Sequence, residues 1–181
     1  MKAFISGGAK NGKTTLGQDL AVYLAAGGTH YYVATMISAD AEDDERIRRH
    51  IADRAGLGFE TIECPRHILS WLDTADRNGV FLLDSVTALL QNEIFPPEKN
   101  YAPDLPAAER CMRELLKFVR SVRSAVLVSD YIFSDAGEYD PMTERYRRAL
   151  AGIDRMLARE CDTVVELAAG RRIVHKGVLP F

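Results

Sequence analysis

The residues best placed for chemistry lie near the start of the chain. Ser6-Gly7-Gly8-Ala9-Lys10-Asn11-Gly12-Lys13-Thr14-Thr15 fits the phosphate-binding pattern G-x-x-x-x-G-K-[ST], with Gly7, Gly12, Lys13 and Thr14 at its fixed positions. Such a loop turns its backbone N–H groups and the N-terminus of the next helix toward phosphate oxygens. Lys13 should reach the β- and γ-phosphates, and the Thr14 hydroxyl should hold Mg²⁺. Asp84 ends the apolar run Val80-Phe81-Leu82-Leu83. At a strand end it would supply the second Mg²⁺ anchor, or else cap the helix that follows. Arg46, His50 and Arg54 recur every four residues, one stripe on a helix face. An imidazole between two guanidiniums suits attack on a polyphosphate, the arginines binding its oxygens and the histidine forming a nucleotidyl intermediate. By composition alone, the same charge-rich helix reads as a solvated face.

These groups need elements to position them. Lys2 to Ser6 reads as a strand, and Thr14 to Ala26 as a helix stopped by Gly27-Gly28. Tyr31 to Ala34 is a second strand, Ala39 to Ala55 a helix with Ile47 and Ile51 as its few apolar residues, and Phe59 to Ile62 a short strand. Ile68 to Leu72 falls in a further helix. Val80 to Leu83 is a strand and Val86 to about Gln91 a helix; Glu93 to Asp104, with three prolines, is a long loop. Pro106 opens a helix, Ala125 to Ser129 is a buried strand, and Asp130 to Asp140 is a second long loop. Asp140-Pro141 starts another helix, and the strands Thr163 to Leu167 and Arg171 to His175 close the chain around Gly170. Alternating strands and helices predict one α/β domain over residues 1–181, a mainly parallel sheet flanked by helices with an antiparallel C-terminal edge. Ligands in such sheets bind beyond the carboxyl ends of the strands, where the phosphate loop, Asp84 and the loop from Asp130 would gather.

Bulk properties narrow the partners. The chain has 181 residues, 47% hydrophobic and 27% charged, with a net charge of −3, so no basic field points to nucleic acid. Cys64, Cys111 and Cys161 are widely spaced and odd in number, which argues against a disulfide framework and for a reducing cytoplasm. No apolar run reaches the length of a membrane span, and the first strand leads directly into the phosphate loop with no leader pattern before it.

Several blocks together resemble one family, the bifunctional adenosylcobinamide kinase / adenosylcobinamide-phosphate guanylyltransferases. Gly7-Gly8-Ala9-Lys10-Asn11-Gly12-Lys13-Thr14 is similar to their Gly-Gly-Ala-Arg-Ser-Gly-Lys-Ser, and Tyr32-Val33-Ala34-Thr35 to their Tyr-Ile-Ala-Thr. Arg46-Ile47-Arg48-Arg49-His50 with Arg54, then Thr61-Ile62-Glu63, resembles their Arg-Ile-x-x-His-x-x-x-Arg block and the Glu strand after it. Leu82-Leu83-Asp84-Ser85-Val86-Thr87 with Asn92 resembles their Leu-Leu-Asp-Cys-Leu-Thr and a downstream Asn. The resemblance implies a RecA-like P-loop fold and two reactions in cobalamin assembly or salvage. ATP or GTP phosphorylates adenosylcobinamide; GTP then gives GMP to that phosphate through a guanylyl-histidine, which falls on His50. The nucleotide site it implies comprises residues 7–15, Arg46, Arg54 and Glu63, with Lys13 and Asp84 assisting His50, and a homotrimer is the implied assembly. The second half departs from the pattern. Asp130-Tyr131-Ile132-Phe133 stands for Asn-Glu-Val-Gly, and Tyr146-Arg147-Arg148 with Gly152, Arg155 and Met156 stands for Phe-Arg-Asp-x-x-Gly-x-x-Asn-Gln. These changes leave open a relative with one activity or another acceptor, or a non-catalytic protein whose bound GTP orders the two long loops.

Overall fold

A computed structural model describes residues 1–133 and 137–181. Seven strands form one sheet in the order β3-β2-β4-β5-β1-β6-β7. They are β1 (Lys2–Gly7), β2 (His30–Ala34), β3 (Glu60–Glu63), β4 (Val80–Asp84), β5 (Ser124–Asp130), β6 (Thr163–Ala168) and β7 (Arg171–Lys176). Every neighbouring pair is parallel except β6 with β7, so the expected antiparallel edge is present.

Side chains of the central strands alternate between two cores, as the two-residue strand period demands. Phe81, Leu83, Ala125, Leu127 and Phe4 face one core. That core is closed by helices α3 (Val86–Ile94), α4 (Pro106–Ser121) and α5 (Pro141–Glu160). Leu82, Val126, Val128, Ala3 and Ile5 face the other, against α1 (Lys13–Ala25). On α1, a Cβ at Gly17 would lie 2.9 Å from Leu82 Cδ1, so glycine lets this helix sit close to the sheet. Helix α2 (Ala41–Arg54) is different: none of its residues is buried. The few apolar contacts expected of Ile47 and Ile51 agree with this, since a helix without an apolar face cannot dock firmly on a sheet.

Three expectations are corrected. Ile68–Leu72 is not a helix but a chain of turns, with Ser70 N donating to His67 O, Leu72 N to Leu69 O and Thr74 N to Trp71 O. Ile68, Trp71 and Leu72 are buried at a spacing that such turns share with a helix. The first part of the Glu93–Asp104 loop is ordered: α3 continues to Ile94, and a 3₁₀ turn covers Pro97–Lys99. Helix α1 ends one residue before the expected Ala26, which is itself left-handed at φ 48°. The Asp130 loop instead starts where expected; its residues 134–136 lie outside the described residues.

Helix α5 carries a buried carboxylate. Asp154 is 6% exposed, and neither oxygen has a well-formed hydrogen bond. Burial pushes its pKa up to about 7; the Ser129 hydroxyl beside it opposes this in part and the charge of Asp130 adds to it. The folded protein therefore holds a proton on Asp154 that the unfolded chain releases near the ordinary value of 3.8. This group leaves stability untouched below that pH, erodes it as pH rises toward about 7, and imposes its full penalty above. Asp154→Asn should thus stabilise the protein at pH 8, by on the order of 3 kcal/mol, and change it little at pH 4. Thermal melts of both proteins across that range test it.

Candidate active site

The sheet register assembles the site. Glu63, Ala34, Asp84 and Val128 are aligned across β3, β2, β4 and β5, while Asp130 is aligned with Gly7 on β1. Three strand-end carboxylates and the start of the phosphate loop therefore share the carboxyl edge. The loop runs from Gly7 into α1 through Gly12, whose φ of 82° is the left-handed turn that lets the helix begin at Lys13.

Lys13 is 6% exposed. Its ammonium donates to Gly8 O at 2.6 Å and pairs with Asp130 Oδ1 at 2.9 Å. Asp84 is the hub. Its Oδ2 accepts from Thr14 Oγ1 at 2.9 Å and from the Tyr32 hydroxyl at 2.7 Å, and lies 3.5 Å from His50 Nδ1. Burial first, then the adjacent Asp84 carboxylate, raises the Tyr32 pKa far above the usual phenol value, so the hydroxyl stays protonated as a donor. Asp84 does not cap α3. Ser85 does, its Oγ accepting from Ala88 N at 3.2 Å. Ser85 is in turn held by Thr35, whose Oγ1 donates to Ser85 O and accepts from Ser85 N.

Two cavities meet at His50. One, of about 280 Å³, lies over the phosphate loop and is lined by Ala9 to Thr14 with Arg46, Arg49, Asp53 and Asp84. The other, of about 220 Å³, lies beyond Asp84. Its apolar wall is Met36, Ile37, Ile47, Ile51 and Ala88, and its polar groups include Arg46, Arg54, Glu63, Gln91 and Asn92. His50, Arg46, Asp84, Ser85 and Asp130 border both.

The expected arginine–histidine stripe thus reaches one wall, but its members are used differently. Arg54 stacks its guanidinium 4.3 Å over the Tyr32 ring and donates from Nε to Thr61 Oγ1 at 3.3 Å. Arg46 faces both cavities. Glu63 lines the second cavity and not the phosphate-loop cleft, while Gly7, Gly8 and Thr15 line neither. Asn92 is a brace, donating to Thr35 O at 2.7 Å and to Pro65 O at 3.0 Å. Asp130 and Tyr32 received no site role from the sequence. The signal for Asp130 was there: like Asp84, it is the carboxylate that ends an apolar strand. Of the other departures, Arg148 is 83% exposed and Arg155 is exposed, so neither charge enters the site.

Thr14 and Asp84 meet as hydroxyl and carboxylate, hard oxygen donors of the kind Mg²⁺ takes, so the residues present fit that ion.

Strand order, phosphate loop and strand-end aspartate define a RecA-like P-loop fold. A structural comparison agrees: the chain is similar to the solved ATPase domain of a helicase with a TM-score of 0.56 at 12% identity, over 97% of this chain and 76% of that one. At that identity the likeness is one of fold. The family model described as cobinamide kinase / cobinamide phosphate guanyltransferase matches residues 3–174, and the chain belongs to that family. A search of curated proteins finds no match. Among the described residues no helix is long and apolar enough to cross a membrane.

Proposed function

We propose that this protein carries out both reactions in its family's description. A nucleoside triphosphate phosphorylates the hydroxyl of adenosylcobinamide, and GTP then transfers GMP to that phosphate with loss of pyrophosphate, a step of cobalamin biosynthesis or salvage. The observation that carries this reading is the position of His50, on the wall shared by the phosphate-loop cleft and the second cavity. A simple kinase has no use for an imidazole there.

In the first step the loop N–H groups and Lys13 hold the terminal phosphates. Mg²⁺ held by Thr14 and Asp84 would neutralise polyphosphate charge. In the second step the base of GTP enters the second cavity, where Glu63 offers a carboxylate to the N1–H and 2-amino donors of guanine, a pairing adenine lacks. Asp84 and Tyr32 engage Nδ1 of His50 and fix the ring, leaving Nε2 to attack. The Nε2–P bond forms on the α-phosphorus, the bond from that phosphorus to the bridging oxygen breaks, and pyrophosphate departs. An oxygen of cobinamide phosphate then attacks the same phosphorus, the Nε2–P bond breaks, and His50 is regenerated. Arg46, facing both cavities, meets phosphate charge throughout.

Incubation with cobinamide, Mg²⁺ and either ATP or GTP should give cobinamide phosphate, and GTP alone should carry it on to GDP-cobinamide. Chromatography of the corrinoid products tests both steps, and accumulation of cobinamide phosphate with GTP present would contradict the second. The reading carries a cytoplasmic homotrimer with it, which sedimentation velocity can check. A second reading keeps the kinase and changes the acceptor. It is favoured by the segment after β5, where Tyr131 and Ile132 are 43% and 37% exposed in place of the family's Glu-Val.

A further inference from the structure

Asp130 is the charged residue of the site to which the family pattern gives no counterpart. Three observations fix where it acts. Its Oδ1 lies 2.9 Å from Lys13 Nζ, so it is one ammonium away from the place where a phosphate loop holds the terminal phosphoryl group. Its backbone is pinned to the loop strand: Asp130 is in register with Gly7, Tyr131 N donates to Gly7 O at 2.9 Å, and Asp130 N donates to Thr87 Oγ1 at 2.8 Å. It also begins the exposed segment that carries Tyr131 and Ile132, on the open side of the cleft.

The two carboxylates beside the loop differ in what already occupies them. Asp84 Oδ2 takes hydrogen bonds from Thr14 and Tyr32 and stands next to His50. The side chain of Asp130 is engaged, among the described residues, by Lys13 alone. An incoming triphosphate draws Lys13 to itself and leaves the Asp130 carboxylate beside the terminal phosphorus with a free lone pair. Its side chain is 19% exposed, enough to meet an acceptor and too little to be fully hydrated.

We propose that Asp130 is the general base of the phosphoryl-transfer step, an assignment that rests on the function proposed above. The acceptor alcohol gives its proton to the Asp130 carboxylate as its oxygen attacks the terminal phosphorus. The new O–P bond forms, the bond from that phosphorus to the β,γ-bridging oxygen breaks, and the nucleoside diphosphate leaves with the electron pair. The proton passes to solvent once the products depart. The guanylyl step needs no such base, because its acceptor is a phosphate oxygen that is already ionised. Asp130 is therefore a catalytic residue of one reaction and a bystander in the other.

That asymmetry is the test. Asp130→Asn keeps the shape of the side chain and an oxygen for Lys13 to donate to, but removes the base. Phosphorylation of cobinamide, followed with γ-labelled GTP at saturating acceptor, is expected to fall about 100-fold or more in kcat. Guanylyl transfer to supplied cobinamide phosphate, followed with α-labelled GTP, should stay within about threefold of wild type, and Asp130→Glu should recover part of the phosphorylation. Phosphorylation by Asp130→Asn within about threefold of wild type would overturn the assignment, as would a parallel loss of both activities, which would mark Asp130 as a support for Lys13. A wild-type protein that guanylylates cobinamide phosphate but cannot phosphorylate cobinamide overturns the base assignment alone. One that does neither overturns the proposed function and the base assignment together.

Discussion

Lys13→Ala is expected to weaken binding of a non-hydrolysable GTP analogue by about 100-fold and to lower phosphoryl transfer by about 1,000-fold. The ammonium is buried and spans from Gly8 O to Asp130 across the mouth of the loop, where its charge is little screened by solvent. Titration calorimetry gives the binding loss directly. The substitution also strands the Asp130 carboxylate without its partner, which costs stability on its own account. Lys13→Ala combined with Asp130→Asn separates the two effects. The double variant should regain thermal stability and remain unable to bind the analogue tightly. If the double variant regains binding, the defect of Lys13→Ala lies in folding and not in phosphate recognition.

His50→Ala should have the opposite selectivity. GDP-cobinamide formation should drop by about 10⁴-fold or more, because a covalent nucleophile has no substitute. Phosphorylation of cobinamide should change by less than about threefold. The geometry predicts this separation: His50 sits on α2, a helix with no buried residue, and reaches the core of the site only through Asp84 and Tyr32. Removing its ring therefore leaves the phosphate loop and Lys13 undisturbed. Product analysis by chromatography measures both activities in one incubation. Equal loss of both would mean that His50 organises the cleft and does not carry GMP.

The parts of this molecule that were legible in its sequence are those specified locally. The strand, loop and helix around Lys13 are contiguous, and glycine, lysine and threonine there each have one physical use. Asp84 was legible as a strand end, although its two readings were separated only when Ser85 proved to be the cap of α3. The stripe of Arg46, His50 and Arg54 was legible as a face, since helical spacing alone puts these residues together. What that face meets was not. Arg54 finds the Tyr32 ring and Thr61 because β2 and β3 pair beneath it, a contact made by sheet register and not by any local pattern. The Lys13–Asp130 pair is the same case. It exists because β5 lies between β4 and β1, and strand order among parallel strands is decided by tertiary packing. The turns at Ile68–Thr74 failed for another reason: buried residues at helical spacing do not distinguish a helix from successive tight turns.

Covalent trapping tests the guanylyl-histidine most directly. The protein is incubated with GTP labelled at the α-phosphate and Mg²⁺, denatured, and the chain examined for bound label. The expected label is acid-labile and base-stable, carried on the peptide containing His50, absent from His50→Ala and released on addition of cobinamide phosphate. A protein that binds GTP yet carries no label, or carries it equally in His50→Ala, would contradict the covalent route.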